Sequence, residues 1–122
     1  MNRAAAASLA ALLIAGCAPG ALTLDTAAPS RRSAGLDFDE PLQGQVTGGH
    51  ACFWVQTASD GVVSLVWPEG YVARDDPLRV EDDTGQVVAR VGDTPRRMVG
   101  TPSTEPGCQP GSTRFVLGLP SR

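Results

Sequence analysis

The most reactive side chains in this 122-residue chain are three cysteines and one histidine, and no lysine is present. Cys17 stands near the start, whereas Cys52 and Cys108 lie in the later part of the chain. His50 precedes Cys52 by two residues, a spacing that is compatible with a catalytic thiol–imidazole pair or with a metal site. A catalytic pair needs a free thiol, and a zinc site needs three or four ligands. The pattern therefore favours His50 as a polar turn residue. The alternative is that the chain is a small hydrolase or metal-dependent enzyme that uses His50.

The first residues have the three parts of a secretory signal. Arg3 supplies the positive charge, Ala4–Gly16 is apolar apart from Ser8, and small residues precede Cys17. The apolar stretch is too short for an ordinary transmembrane helix. The sequence IAGC at 14–17 closely resembles a bacterial lipobox, and the resemblance implies a diacylglyceryl group on Cys17 after removal of residues 1–16. Acyl chains contribute about 0.8 kcal/mol per buried methylene, so two or three of them anchor a protein stably.

An exported location decides how the remaining cysteines are interpreted. We expect a lipid-anchored protein of the cell envelope, held on the extracytoplasmic face of the cell membrane. Two cysteines in a small exported domain usually pair, which predicts a disulfide between Cys52 and Cys108. The alternative is two free thiols in a redox or metal site, but the chain has no CxxC motif and no histidine cluster to support it.

Other candidate chemistry is weakly supported. Five acidic residues invite a calcium site, but their order does not follow the EF-hand pattern; they are Asp75, Asp76, Glu81, Asp82 and Asp83. No GxSxG motif marks a catalytic serine. We therefore predict no catalytic residue, no metal and no cofactor. The formal net charge of −3 and the low aromatic content disfavour a nucleic-acid partner.

The remaining sequence predicts the elements that would position these groups. Residues 17–35 are rich in Ala, Pro, Ser and Gly, which is typical of a flexible linker after the lipidated cysteine. Residues 36–118 contain short Val-rich runs separated by Gly, Pro and Asp, and 119–122 form a tail. Six or seven such runs predict an all-β domain, a small antiparallel barrel of five to seven strands with one disulfide. Closure of the barrel would remove exposed sheet edges.

The segment Ser64–Asp93 carries a family resemblance. Its WPEG turn at 67–70 and the run DDTGQVVARVGD at 82–93 are similar to a small, largely uncharacterised group of lipoproteins from high-GC Gram-positive bacteria. The resemblance extends over roughly Leu42–Cys108 and implies an OB-like barrel on a lipid anchor. It implies no established activity. The chain departs from the group after Asp93, where TPRRMVGT replaces an apolar strand that ends in paired glycines.

One loop is the predicted recognition surface. Trp67 and Tyr71 bracket the Pro-Glu-Gly turn, where they could form an aromatic rim for a ligand or, for Trp67, part of the core. The predicted surface comprises Trp67, Glu69, Tyr71, Arg74, Asp75 and Asp76. The first expectation is a non-enzymatic, lipid-anchored protein that binds an envelope protein or ligand through this loop. A purely structural envelope spacer is a further alternative.

Overall fold

The computed structural model describes residues 21–29, 34–38, 40–94 and 97–118, and every regular element within them is a β-strand. The all-β prediction is therefore confirmed. The predicted signal sequence, Cys17 and the tail at 119–122 lie outside the described residues.

Eleven strands are present in the described part of the chain, more than the five to seven predicted. They are β1 Ala21–Leu24, β2 Thr26–Ala27, β3 Ala34–Leu36, β4 Gln43–Thr47, β5 His50–Thr57, β6 Gly61–Pro68, β7 Val72–Arg74, β8 Arg79–Glu81, β9 Val87–Arg90, β10 Met98–Pro106 and β11 Thr113–Leu117. Several of the additional strands have only two or three residues, which is too short for a pattern of alternating burial to be visible in the sequence.

The strands form one curled sheet with the shape of a half-barrel. Their order is β3-β10-β11-β6-β5-β1-β7-β8-β9, with β4 beside β5 and β2 beside β6. Most neighbouring strands pair antiparallel, as predicted, but the prediction does not extend to the whole sheet, because β1 pairs with β5, β11 with β6 and β2 with β6 in parallel. Two backbone hydrogen bonds join Leu42, just before β4, to Gly92 and Asp93, just after β9. They tie the outer edge of the sheet back to the β4–β5 hairpin.

The first two strands occupy the open end of the β5–β6 hairpin. β5 and β6 are paired between their hairpin turn and the Trp54–Ser64 pair. On the far side of Trp54 and Ser64 from the turn, the two strands separate. β1 runs along β5 and β2 runs along β6, with Asp25 at the bend between them. Most of the described residues of the predicted linker are therefore paired in the sheet, because the exposed backbone groups of the separated strands provide hydrogen-bond partners for the segment.

The core lies on the concave face of the sheet. Along β5 the buried residues alternate with partly exposed ones, so Ala51, Phe53 and Val55 point inward. β6 is buried on both faces from Val63 to Pro68, since its outer face is covered as well. The Trp67 ring packs edge-on against Phe53, with ring centroids 5.8 Å apart.

The cover over the outer face of β6 is the loop that contains Cys108. Cys52 and Cys108 form the predicted disulfide, with Cα atoms 5.8 Å apart. Next to it, the Ser64 and Ser112 hydroxyl oxygens are 2.6 Å apart and both are buried. The Ser112 hydroxyl donates to the Gln109 carbonyl at 2.6 Å, and the Gln109 N–H donates to the Ser64 hydroxyl at 3.1 Å. Ser64 must then donate to Ser112, which completes a closed ring of three hydrogen bonds.

Candidate functional site

Trp67 belongs to the core and contributes nothing to the predicted recognition surface. Only 3% of its surface is exposed, and its backbone N–H donates to the Asp25 carbonyl at 2.9 Å. The sequence allows Trp67 to lie either in the core or on the recognition surface, because a tryptophan at the end of an apolar strand is compatible with both. The pairing of β2 with the end of β6 covers Trp67, and a linker segment carries no local signal of that pairing.

The rest of the predicted surface is divided between the two ends of β7. Glu69 and Tyr71 precede this strand, whereas Asp75 and Asp76 follow it. Arg74 is paired with Ala21, so the Asp75–Asp76 end lies beside the start of β1. The other end lies beside Asp82, because Val72 is paired with Glu81. The structure therefore does not bring these residues together into one surface.

Arg74 takes part in an ion-paired cluster on the outer face of the sheet. Its Nε donates to Glu81 at 3.0 Å, and the Arg79 Nε donates to the other oxygen of the same carboxylate at 3.1 Å. The hydrogen bond from Arg74 lowers the pKa of Glu81 below its ordinary value, and Arg79 acts in the same direction. Arg74 is therefore engaged within the sheet rather than available to a ligand.

Asp75 and Asp76 shape a turn. The Asp75 carboxylate accepts a hydrogen bond from the Asp76 N–H at 2.8 Å, and Asp76 has a φ of 64°. Arg79 donates to the carbonyls of Asp75 and Pro77 at 3.2 and 2.9 Å, which holds the turn against β8. Asp residues are common in such turns because their side chains bond to nearby backbone.

A compact acidic patch forms at the opposite end of β7. We call Glu69, Tyr71, Asp82 and Asp83 the distal patch. Tyr71 is half-buried against the core, and a Cβ placed on Gly70 would lie 3.3 Å from the Asp83 Cβ. Burial raises the pKa of the Tyr71 phenol, and the negative charges of Asp82 and Asp83 raise it further. The patch thus combines one aromatic side chain with a negative local potential.

Asp82 also organises the hairpin turn beneath this patch. One of its carboxylate oxygens accepts hydrogen bonds from the Thr84 hydroxyl at 2.6 Å, the Thr84 N–H at 2.9 Å and the Gln86 N–H at 3.0 Å. The bond from the Thr84 hydroxyl is the largest cause of the lowered pKa of Asp82. Asp82 therefore stabilises this turn through its carboxylate.

His50 has partners that sequence reasoning missed. Its Nδ1 is 2.9 Å from the Thr23 hydroxyl, and its Nε2 is 3.2 Å from the Asp25 carboxylate. Both partners come from the segment expected to be a linker, so no local pattern indicated them. The Thr23 hydroxyl is also 3.2 Å from the Gly49 carbonyl. The imidazole thereby links the β1–β2 bend to the start of β5.

Residues in the described part of the chain line two grooves that are open to solvent. The first, of about 450 Å³, has Leu36, Val63 and Phe115 in its lining and Asp60 and Arg114 among its polar residues. The second, of about 410 Å³, lies beside the disulfide and is lined by Gln45, Thr47, His50, Cys52, Cys108, Gln109 and Pro110. Neither contains Trp67 or the residues of the distal patch.

The described residues contain neither a metal-binding cluster nor a membrane-spanning helix. Among them, no group of three or more His, Cys, Asp or Glu side chains is arranged to hold a metal ion. None of the described segments forms a helix that is long and apolar enough to cross a bilayer. No protein-family model, curated protein or solved structure matches the chain.

Proposed function

We propose that this chain is a lipid-anchored, non-enzymatic protein of the cell envelope that binds a partner protein through its distal patch. The lipobox-like sequence before Cys17 supports the anchor, which would hold the domain on the extracytoplasmic face of the cell membrane. We further propose that the half-barrel is OB-like, because Ser64–Asp93 resembles the lipoprotein group for which such a barrel is expected.

The observation that carries the proposal is the position of β1. It begins at Ala21, four residues after Cys17, and is paired with β5 and β7. Four residues reach at most about 14 Å, whereas a 100-residue domain has a radius of gyration of about 13 Å and is about twice as wide. The start of β1 and the adjacent Asp75–Asp76 turn would therefore face the membrane. The distal patch, at the other end of β7, would lie farther from the membrane than that turn.

The composition of the distal patch indicates the kind of partner. Exposed Glu69 and Asp83 and the turn residue Asp82 surround a half-buried tyrosine. Carboxylates around an aromatic side chain suit a positively charged segment, since tyrosine contributes contact area and the acids contribute complementary charge. The expected partner is an envelope protein with exposed Arg or Lys residues.

Capture of partners from solubilised envelopes tests this assignment. The protein would be compared with the charge-reversal variant Glu69→Arg/Asp83→Arg and with a matched control, Asp75→Arg/Glu105→Arg, which changes the net charge equally at other surfaces. Loss of a partner from the first variant alone supports the distal patch. An identical partner set for the wild type and the first variant, or loss from the control alone, would refute it.

A second candidate function is an envelope hydrolase, which one specific arrangement favours. His50 stands between a hydroxyl and a carboxylate, at 2.9 Å from Thr23 and 3.2 Å from Asp25. A nucleophile activated by an imidazole, itself oriented by an acid, has this order of groups. Hydrolysis of p-nitrophenyl acetate by the wild type that disappears in Thr23→Ala, with its fold retained, would support the hydrolase over the binding protein. Equal rates of hydrolysis by the wild type and by Thr23→Ala would rule out the hydrolase function.

A further inference from the structure

The outer face of the β4–β5 hairpin presents an unusual row of side chains. Three cross-strand pairs stand side by side on it: Gln43 with Trp54, Gln45 with Cys52, and Thr47 with His50. The inward-facing neighbours on β5 are all buried, so these side chains point away from the core. We call this row the β4–β5 strip. It extends over four residue steps, or about 14 Å along the strands.

A groove runs beside the strip. It has a volume of about 410 Å³ and lies between Gln45 and Thr47 on one side and the Cys108–Pro110 segment on the other. The disulfide joins the two sides and limits how far the groove can widen. Among the residues that the structure describes, no Asp, Glu or Arg contributes to its lining. The groove is therefore a preformed, largely uncharged site in a chain that is acidic as a whole.

Several polar groups along the groove are available to a ligand. Within the described residues, the side-chain amides of Gln45 and Gln109 and the hydroxyl of Thr47 have no hydrogen-bond partner. Both nitrogens of His50 are engaged by Thr23 and Asp25, so the imidazole forms a fixed wall.

Trp54 adds an apolar surface to this row. It is half-buried on the outer face, directly after Cys52 in the alternation along β5. It is not part of the buried core cluster, whose aromatic residues include Phe53 and Trp67. An indole at the end of a row of amides and hydroxyls provides a flat apolar contact next to hydrogen-bonding groups.

We propose that the β4–β5 strip and its groove bind a neutral glycan. Sugar hydroxyls both donate and accept hydrogen bonds, which matches amide and hydroxyl side chains, and the C–H face of a sugar ring packs on an indole plane. A groove lined by uncharged groups suits an uncharged ligand, because binding then buries no charged group of the protein or of the ligand without a partner. The proposal is independent of the lipid anchor and of the distal patch, which lies at a different surface.

Fluorescence titration of the full-length protein in detergent tests this proposal. The probes are the neutral tetrasaccharides of mannose and of N-acetylglucosamine, with a proline-rich decapeptide as the competing kind of ligand. The half-exposed Trp54 is expected to report binding through a saturable change in emission, while the buried Trp67 stays constant. Gln45→Ala/Gln109→Ala should weaken the affinity about tenfold, since each lost hydrogen bond accounts for a factor of a few. Gln86→Ala, on another hairpin, is the matched control and should bind as the wild type does.

Three outcomes would overturn the glycan assignment. They are the absence of a saturable response to either sugar at millimolar concentration, an unchanged affinity in the Gln45→Ala/Gln109→Ala variant, and saturable binding of the peptide alone. Both glutamine positions are on the surface, so this variant is expected to fold, which circular dichroism verifies. Glu69→Arg/Asp83→Arg should retain sugar binding, which separates this proposal from the distal-patch proposal.

Discussion

Replacement of Ser64 by alanine would break the hydrogen-bonded ring that holds the Cys108 loop over β6. The Gln109 N–H loses its acceptor, and the Ser112 hydroxyl loses the hydrogen bond donated by Ser64. Ser64 is 1% and Ser112 6% exposed, so water does not readily replace the lost partner. A buried polar group left unsatisfied costs about 1–3 kcal/mol. We expect Ser64→Ala to lower the free energy of unfolding by about 2 kcal/mol.

Thermal unfolding followed by circular dichroism measures this effect. For a domain of this size, about 2 kcal/mol corresponds to a fall in the melting temperature of about 8–16 °C. Ser112→Ala should cost a similar amount, because Ser112 both accepts from Ser64 and donates to the Gln109 carbonyl. The double variant should lose less than the sum of the two single losses, by about 1 kcal/mol, since the two hydroxyls share one hydrogen bond.

An exposed serine provides the control for Ser64→Ala. Ser59 lies in the exposed turn between β5 and β6, where its hydroxyl is 3.4 Å from Asp60, so Ser59→Ala should change stability by less than about 0.5 kcal/mol. If Ser64→Ala shifts the melting temperature no more than Ser59→Ala does, the hydrogen-bonded ring does not stabilise the loop. Strict additivity of Ser64→Ala and Ser112→Ala would show that the two hydroxyls act separately.

The remaining predictions concern the disulfide, one glycine and the response to acid. Cys52→Ser/Cys108→Ser should lose about 2–5 kcal/mol in urea unfolding, and an unchanged midpoint would contradict a stabilising bridge. Gly100→Ala should be destabilised by about 1–3 kcal/mol in the same assay, because its Cβ would overlap the Val116 carbonyl oxygen; wild-type stability would show that the strands move apart easily. The folded-state pKa of Asp82 is depressed, so its contribution to stability is present above the ordinary Asp pKa and is lost as pH falls through the folded value. Melting temperatures measured across acidic pH should therefore fall less steeply for Asp82→Ala than for the wild type, and equal slopes would contradict the role given to its hydrogen bonds.

Much of the fold was predictable because its signals are local. The segments that became β4, β5, β6, β9 and β11 have alternating or continuous apolar patterns, and residues such as Gly48 and Gly85 mark the turns between strands with positive φ. The two cysteines that follow the lipobox-like sequence left a single possible pair, and this pair is present.

The first strands were not predictable in the same way. β1, β2 and β3 have four, two and three residues, and their composition is that of a linker. They are strands because other strands offer them backbone partners, such as His50 beside Thr23 and Trp67 beside Thr26. Contacts between residues so distant along the chain leave no periodic pattern in a segment of this length.

The candidate site depended on these distant contacts as well. Trp67 became core when β2 covered the end of β6, and the predicted loop was divided when β7 placed its two halves at opposite ends of a strand. The imidazole of His50 contacts Thr23 and Asp25, which belong to the predicted flexible linker. In each case the residue type allowed several roles, and its neighbours in space selected one.

The sequence by itself determined the all-β class, the Cys52–Cys108 bridge and the expectation of a lipid anchor at Cys17, because each depends on residue types within a short stretch or on a count of cysteines. Only the tertiary structure decided which side chains share a surface. Strand pairing brings together residues that are far apart along the chain, and burial then removes some of them from solvent. The acidic distal patch and the β4–β5 strip, which contains no Asp, Glu or Arg, exist for that reason alone.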